Sequence, residues 1–286
     1  MTEPASINSS GNKDVVAFLG PLGTFSQSAV DRHFGPDVVK LCVATIDDVF
    51  VEVEAARARF GVVPVENSTE GAVNNTQDCL VDTSLHIVAE VVIPIEHNFL
   101  LRKDAVADGI TRIVSHRQSL AQCRRWLKEH WPHVDKQEVS SNAEAARLAA
   151  EDPHTAAIAG ERAAELYGLR IQTKCIQDQY NNSTRFLVLS REQAPPTPTG
   201  RDKTSILVYT ENKPGALFRV LEPFEKQQVS LTKIETRPAR DSIWAYVFFI
   251  DFEGHCEDPA VQNVFAQLQG RAVKIKNLGS YPMAAG

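Results

Sequence analysis

The chain has 286 residues and a formal net charge of −6; it is 43% hydrophobic and 23% charged, a balance that fits one to three globular domains with a real core. No apolar run nears the roughly 18–20 residues of a membrane helix, and no long basic run points to nucleic acid. The five cysteines are scattered without metal-site spacing and fit free thiols in a reducing, cytoplasmic compartment.

Residues 1–13 are polar, lack a signal-peptide core and are expected to form a disordered leader. VVAFL (15–19) is expected as a strand. GTFSQSAVDRHFG (23–35) follows as a helix, with Ala29/His33 and Val30/Phe34 at four-residue spacing and Gly35 as its stop. Thr45 opens the next helix, with Asp48 three residues on and Val49, Val53, Ala56 and Phe60 along one face. GVVPV (61–65) is a buried strand. LHIVAEVVIPIEHNFLL (85–101) stays extended with no helix inside it, as a connection between two α/β lobes would. IVS (113–115) leads into a helix with Leu120, Cys123 and Leu127 inward. Ser141 and Glu144 form a capping box; TAAIA (155–159) is a strand and ERAAELYG a helix closed by Gly168. This alternation predicts mostly parallel sheets covered by helices over residues 14–191, in two lobes with a cleft between them, the second lobe covering about 96–176.

Periodic patterning stops at REQAPPTPTGRDK (191–203), so residues 192–202 are expected to link two domains. Beyond it, 203–283 reads as strand TSILVYT, a helix from Pro214 with Leu217, Val220, Leu221 and Phe224 inward, and strands VSLTKIETR and IWAYVFFIDF joined at PARDS. A helix from Asp258 and Pro259, with Val261, Val264, Phe265 and Leu268 inward, and strand AVKIKNLG complete it. The order βαββαβ is a ferredoxin-like split unit.

Ligands of parallel α/β sheets gather where strands give way to loops. Here those loops are GPLGTFS (20–26), ENSTEG (66–71), SHRQSLAQC (115–123) and NNSTRF (181–186), the last ahead of the strand LVLS. Each alone has an ordinary explanation: a capped turn, a surface histidine, a structural ion pair. Together they point to a polar cleft for a small anion. No Walker lysine, no G-x-S-x-G elbow and no Cys/His metal spacing is present. Neutral hydroxyls and amides plus one guanidinium favour binding, or proton-assisted elimination, over covalent or metal catalysis.

GPLGTFSQSA, VVPVENSTEGAVN, SHRQSLAQC, SSNAEAA, AAIAG and NNSTRFLVL resemble, in order, the motifs of prephenate dehydratase. GALF (215–218) and ETRP (235–238) resemble the two signature motifs of a phenylalanine-binding ACT domain. The resemblance runs over 14–283. It implies decarboxylating dehydration of prephenate to phenylpyruvate, on the branch toward phenylalanine. It also implies two lobes of the periplasmic-binding-protein type, no cofactor and no metal. A cytoplasmic homodimer or homotetramer with phenylalanine as feedback inhibitor is the further implication. The short leader is expected to leave out the chorismate mutase domain of bifunctional members.

Residue by residue, the resemblance makes Thr184 catalytic. It assigns substrate binding to Thr24, Phe25 and Ser26, to Glu66, Asn67 and Ser68, to Ser115, His116, Gln118 and Gln122, and to Arg185 and Phe186, although Phe186 is also expected to begin the strand and pack, which puts the boundary between site and core inside the motif. It places phenylalanine against Asn212, Gly215, Ala216 and Leu217, and against Glu235, Thr236, Arg237 and Pro238. Prephenate is a dianion, so an ionised Glu66 would repel it unless burial raised its pKa. The Thr184 hydroxyl is neutral and can hydrogen-bond the leaving oxygen. Arg185 and the helix start at Thr24–Ser26 are the expected carboxylate holders. An arogenate dehydratase, and a non-enzymatic two-lobed binding protein, are the competing expectations.

Overall fold

The computed structural model describes residues 13–193, 197–211, 213–238 and 246–284. The expected leader up to residue 12, Asn212 and the turn residues 239–242 lie outside those ranges.

The first lobe comprises β1 (Val15–Leu19), α1 (Phe25–Phe34), β2 (Val39–Val43), α2 (Ile46–Glu54), β3 (Phe60–Asn67), β4 (Gly71–Ala72), α3 (Asn74–Asp82) and β5 (His86–Pro94). Local chemistry sets its helix starts. The Thr24 side chain accepts from the Gln27 N–H ahead of α1, and Thr45 and Asp48 form a reciprocal capping box on α2. The second lobe follows as β6 (Asn98–Leu101), β7 (Arg112–His116), α4 (Arg117–Gln122), α5 (Arg124–His130), β8 (Asp135–Val139), α6 (Asn142–Glu151), β9 (Thr155–Ala159), α7 (Glu161–Tyr167) and β10 (Arg170–Thr173). The chain then returns to the first sheet as β11 (Ser183–Ser190).

The first sheet runs β2-β1-β3-β11-β5 with β4 beside β3, and the second runs β10-β6-β9-β7-β8. The long extended run at 85–101 splits into β5 and β6, which belong to different sheets. Residues 95–97 therefore carry the chain across, and 174–182 carry it back. The sheets are mixed rather than mostly parallel. β11 runs antiparallel to β3 and β5, and β6 antiparallel to β9 and β10. A strand that arrives from the other lobe enters its sheet from the opposite end, so it opposes its neighbours. The single helix expected after β7 is broken at Cys123 into α4 and α5, with Cys123 and Leu127 still buried in the core.

The C-terminal module is β12 (Asp202–Thr210), α8 (Ala216–Lys226), β13 (Leu231–Pro238), β14 (Tyr246–Glu253), α9 (Pro259–Leu268) and β15 (Lys274–Pro282). Its sheet order is β13-β14-β12-β15. One face buries Ile206, Val208, Phe248 and Ile250 under Val220 and Phe224 of α8 and Val261 and Leu268 of α9. The other face contributes Leu207, Phe249, Leu278 and Tyr281 to the cluster that holds Val63, Val65, Leu187 and Leu189 of the first lobe. That double burial explains why TSILVYT is apolar at successive positions. No helix among the described residues is long and apolar enough to cross a membrane.

Candidate active site

A cavity of about 420 Å³ opens between the lobes. The first lobe contributes Phe25, Pro64, Asn67, Glu70 and Thr184; the second contributes His116, Gln118, Ser119, Gln122 and Asn142. Ile95 and His97 line it from the crossing segment. A second hollow of about 560 Å³ adjoins it and shares Phe25, His116, Gln118 and Asn142. Thr24 and Ser26 line that second hollow and not the one holding Thr184.

Thr184 is the second residue of β11, opposite Asn67 of β3. Its Oγ1 accepts a hydrogen bond from Asn67 Nδ2 at 2.9 Å. Asn67 has no freedom to flip. Its Oδ1 accepts the backbone N–H groups of Thr69 and Glu70 at 2.9 and 3.0 Å. Both hydrogens of Nδ2 are then used, on Thr184 Oγ1 and on Asn182 Oδ1 at 2.8 Å.

Strand alternation separates the TRF residues. Thr184 faces the cleft, and Arg185 faces the C-terminal module. Arg185 reaches Asp251 at 2.7 Å and Glu90 and Glu66 each at 3.2 Å, with its side chain 12% exposed. Burial pulls the Arg185 pKa down, but Asp251, Tyr281 and Glu90 outweigh it and the net direction is up. The guanidinium is fixed in an ion cluster behind the sheet, so Arg185 is not the carboxylate holder expected of it. Phe186 is 2% exposed and packs with Val16, Phe18 and Val30, so it belongs to the core and not to the cleft wall.

Glu66 is corrected in the same way, and the cause is a β-bulge. Arg185 pairs with Glu66 but Phe186 pairs with Pro64, so Val65 is an extra residue on β3. Pro64 lines the cleft, and strict alternation would have brought Glu66 there. The bulge turns Glu66 toward Arg185 and Lys233 and presents Asn67 instead. Ser68 also misses the cleft: its Oγ donates to the Asn181 carbonyl and accepts from the Ser183 N–H, pinning the loop ahead of β11.

On the other wall, Ser115 is fully buried and donates to the Ile158 carbonyl at 2.6 Å, so it supports the wall rather than lining it. Ser119 Oγ and the His116 N–H donate to Asn142 Oδ1. That holds the Asn142 amide with its oxygen turned to α4. His116 caps α4, and its Nδ1 accepts from the Gln118 N–H, so a neutral ring carries its proton on Nε2. Gln118 and Gln122 both line the cleft. Glu70, His97, Ser119, Asn142 and Asn182 were missed as site residues. Their loops were legible, but only the fold shows which side chains turn inward. Among the described residues no cluster of three or more His, Cys, Asp or Glu side chains could hold a metal ion.

In the C-terminal module, Gly215 has a left-handed φ of 74° immediately before α8, a conformation that glycine adopts without strain. Ala216 is half-buried and Leu217 is exposed. On β13, Thr236 and Pro238 are exposed while Glu235 and Arg237 turn toward the first lobe, where Arg237 pairs with Asp78 of α3 at 2.6 Å.

Two α/β lobes joined by two crossings around an amide- and hydroxyl-lined cleft, followed by a βαββαβ module, define a two-lobed enzyme body with an ACT-type partner. Residues 16–194 match the prephenate dehydratase family model, and residues 204–269 match that of the ACT domain. The chain belongs to the prephenate dehydratase family, hydro-lyases that convert prephenate to phenylpyruvate, carbon dioxide and water. It is 52% identical over 269 residues to a bifunctional chorismate mutase/prephenate dehydratase of Stutzerimonas stutzeri, covering 94% of this chain and 73% of that protein. Among solved structures it resembles the Arthrobacter aurescens prephenate dehydratase in complex with L-Phe, with a TM-score of 0.86 and 35% identity over 94% of this chain and 89% of that one. A quorum-quenching acylase, GqqA, is similar at a TM-score of 0.86 and 30% identity, over 94% of this chain and 98% of that one.

Proposed function

We propose that the interlobe cleft dehydrates prephenate with Thr184 as the hydrogen-bond donor to the departing ring oxygen. As the ring carboxylate leaves as carbon dioxide, its bonding pair enters the ring and expels the hydroxyl, which takes up a proton to become water. A donor at that oxygen stabilises the charge that develops there. One observation carries the reading. Asn67, locked by the Thr69 and Glu70 amides, donates to Thr184 Oγ1, so the Thr184 hydrogen is left to point elsewhere. Among the described residues Thr184 Oγ1 donates to no protein group, which leaves its O–H for a ligand.

No lysine or arginine is among the described residues lining the Thr184 cavity. The substrate carboxylates are held instead by hydrogen-bond donors other than lysine or arginine, with Gln118, Asn142 and His116 on the second lobe and the start of α1 at Thr24–Ser26 in the adjoining hollow. Phenylalanine bound at the ACT domain, against the Gly215–Leu217 and Glu235–Pro238 segments, lowers activity. Paired copies of the chain, as a homodimer or homotetramer, carry that regulation.

The test is phenylpyruvate formation from prephenate by the full chain. Thr184→Ala is expected to lower kcat by about 10²–10⁴, and Thr184→Ser to restore much of it. Near-parental turnover in Thr184→Ala removes Thr184 from the mechanism. Glu70 places a carboxylate in the cleft, which favours the ammonium-bearing arogenate as an alternative substrate. Parallel kcat/KM values for arogenate and prephenate decide between them.

A further inference from the structure

His97 sits in the first crossing between the lobes, lines the cleft and is 2% exposed. Its ring lies edge-on to Phe25 with centroids 5.9 Å apart. The dehydration at Thr184 leaves it without a task.

Its hydrogen bonding is determined from a distance. Asn67 presents an N–H to Asn182 Oδ1, so Asn182 is held with its amide nitrogen outward. That nitrogen donates to Gln122 Oε1 at 3.1 Å. Gln122 therefore presents its oxygen on this side, and its Nε2 lies 3.4 Å from Glu70 Oε1. His97 Nε2 lies 2.8 Å from the same Gln122 oxygen and can meet it only as a donor. A neutral imidazole has one N–H, so Nδ1 is a lone pair, and Nδ1 is buried with no partner among the described residues. Burial lowers the His97 pKa, against the opposing pull of Gln122, which agrees with a neutral ring.

We propose, resting on the Thr184 reading, that His97 is a positioning residue for the dehydration. Its Nε2–H holds the Gln122 amide in one orientation and, through Asn182, anchors the Asn67 amide, already oriented by the Thr69 and Glu70 N–H groups, at bonding distance from Thr184. The chain of bonds spans the molecule. Asn67 and Thr184 belong to the first lobe, Gln122 to the second, and His97 and Asn182 to the two crossings. It bridges both lobes, so His97 ties the placement of Asn67 against Thr184 to the second lobe.

The full chain with prephenate as substrate provides the test. Glutamine at 97 places an N–H near the Nε2 position; asparagine places it near Nδ1, short of Gln122. His97→Asn is expected to lower kcat about tenfold, the usual worth of one well-placed hydrogen bond, with KM little changed. His97→Gln is expected to recover most of that loss. In a Thr184→Ala background, His97→Asn is expected to cost nothing further. Parental kcat in His97→Asn, equal impairment in His97→Gln, or an undiminished loss in the Thr184→Ala background overturns the proposal. Should His97→Asn fail to fold, His97→Gln decides alone: near-parental kcat supports the role and a tenfold loss overturns it. Full activity in Thr184→Ala instead sinks the Thr184 reading, so the two failures are told apart.

Discussion

Thr184 and Arg185 are adjacent in the chain and face opposite sides of β11. Behind the sheet, Arg185 bonds Asp251 and Glu90, and Lys203 Nζ bonds both Glu90 oxygens at 2.8 Å. Ser205 and Tyr281 complete the shell, Ser205 Oγ donating to Asp251 at 2.6 Å. Removing one member of a buried ion cluster leaves the others charged and short of partners. Arg185→Met is therefore expected to destabilise the protein by about 3–5 kcal/mol in urea unfolding. Unchanged stability would mean the cluster is solvated in solution. NNSTRF was legible as a site because hydroxyls and amides crowd the start of an apolar strand. What was not legible is that the strand already begins at Ser183, so side-chain parity sorts the motif. Arg185 faces an ion cluster, and Thr184 and Phe186 share the opposite face, Thr184 at the cleft and Phe186 deeper in the core.

At the scale of elements, helices marked by a cap residue, a starting proline or a clear apolar face were legible, and α3, which has none of these, was not. Thr45, Asp48, Ser141 and Gly168 marked α2, α6 and α7; the α2 box is complete, whereas on α6 only Ser141 caps, accepting the Glu144 N–H, because the Glu144 carboxylate pairs with Arg147 instead. α3 carries no such signal. Its N-cap, Val73, makes no side-chain bond, and its buried residues are Thr76, Gln77 and Leu80, of which two are polar. β2 and β8 are partly exposed strands with weak apolar patterning. The bulge at Val65 is the decisive unread feature, since only the paired strand defines it. A second backbone feature is equally silent in sequence: β15 passes so close to β5 that a Cβ on Gly279 would lie 2.2 Å from the Ile87 carbonyl oxygen. Gly279 also has φ +144°, which side-chain-bearing residues rarely adopt. Gly279→Ala must push the two strands apart, and calorimetric melting is expected to show a loss of about 1–3 kcal/mol. An unshifted melting midpoint would mean that β15 yields without cost.

At the scale of the whole molecule, the proline-rich segment reads as a linker between two domains, and the ACT domain that follows it packs directly on the first lobe. Its Leu207, Phe249, Leu278 and Tyr281 share a core with β3, β5 and β11. Its charges reach the elements that carry the cleft residues. Lys233 lies 3.2 Å from Glu66 on β3, next to Asn67. Lys276 Nζ donates to the Leu80 and Val81 carbonyls at the end of α3, and to that of Thr83. Arg237 holds Asp78 on α3 through both oxygens. Arg237 also belongs to the ETRP segment proposed to meet phenylalanine. Any movement of β13 on ligand binding would therefore pull on α3, which follows β4 at the cleft rim. Asp78 is not one of the residues lining the Thr184 cavity, so Asp78→Asn should leave turnover without phenylalanine near the parental value. The same change should raise the phenylalanine concentration for half-inhibition at least about fivefold, the lower end of ordinary coupling between sites. Calorimetric titration separates coupling from binding. Retained phenylalanine affinity with weakened inhibition assigns the Arg237–Asp78 pair to transmission, whereas unchanged inhibition confines that pair to docking.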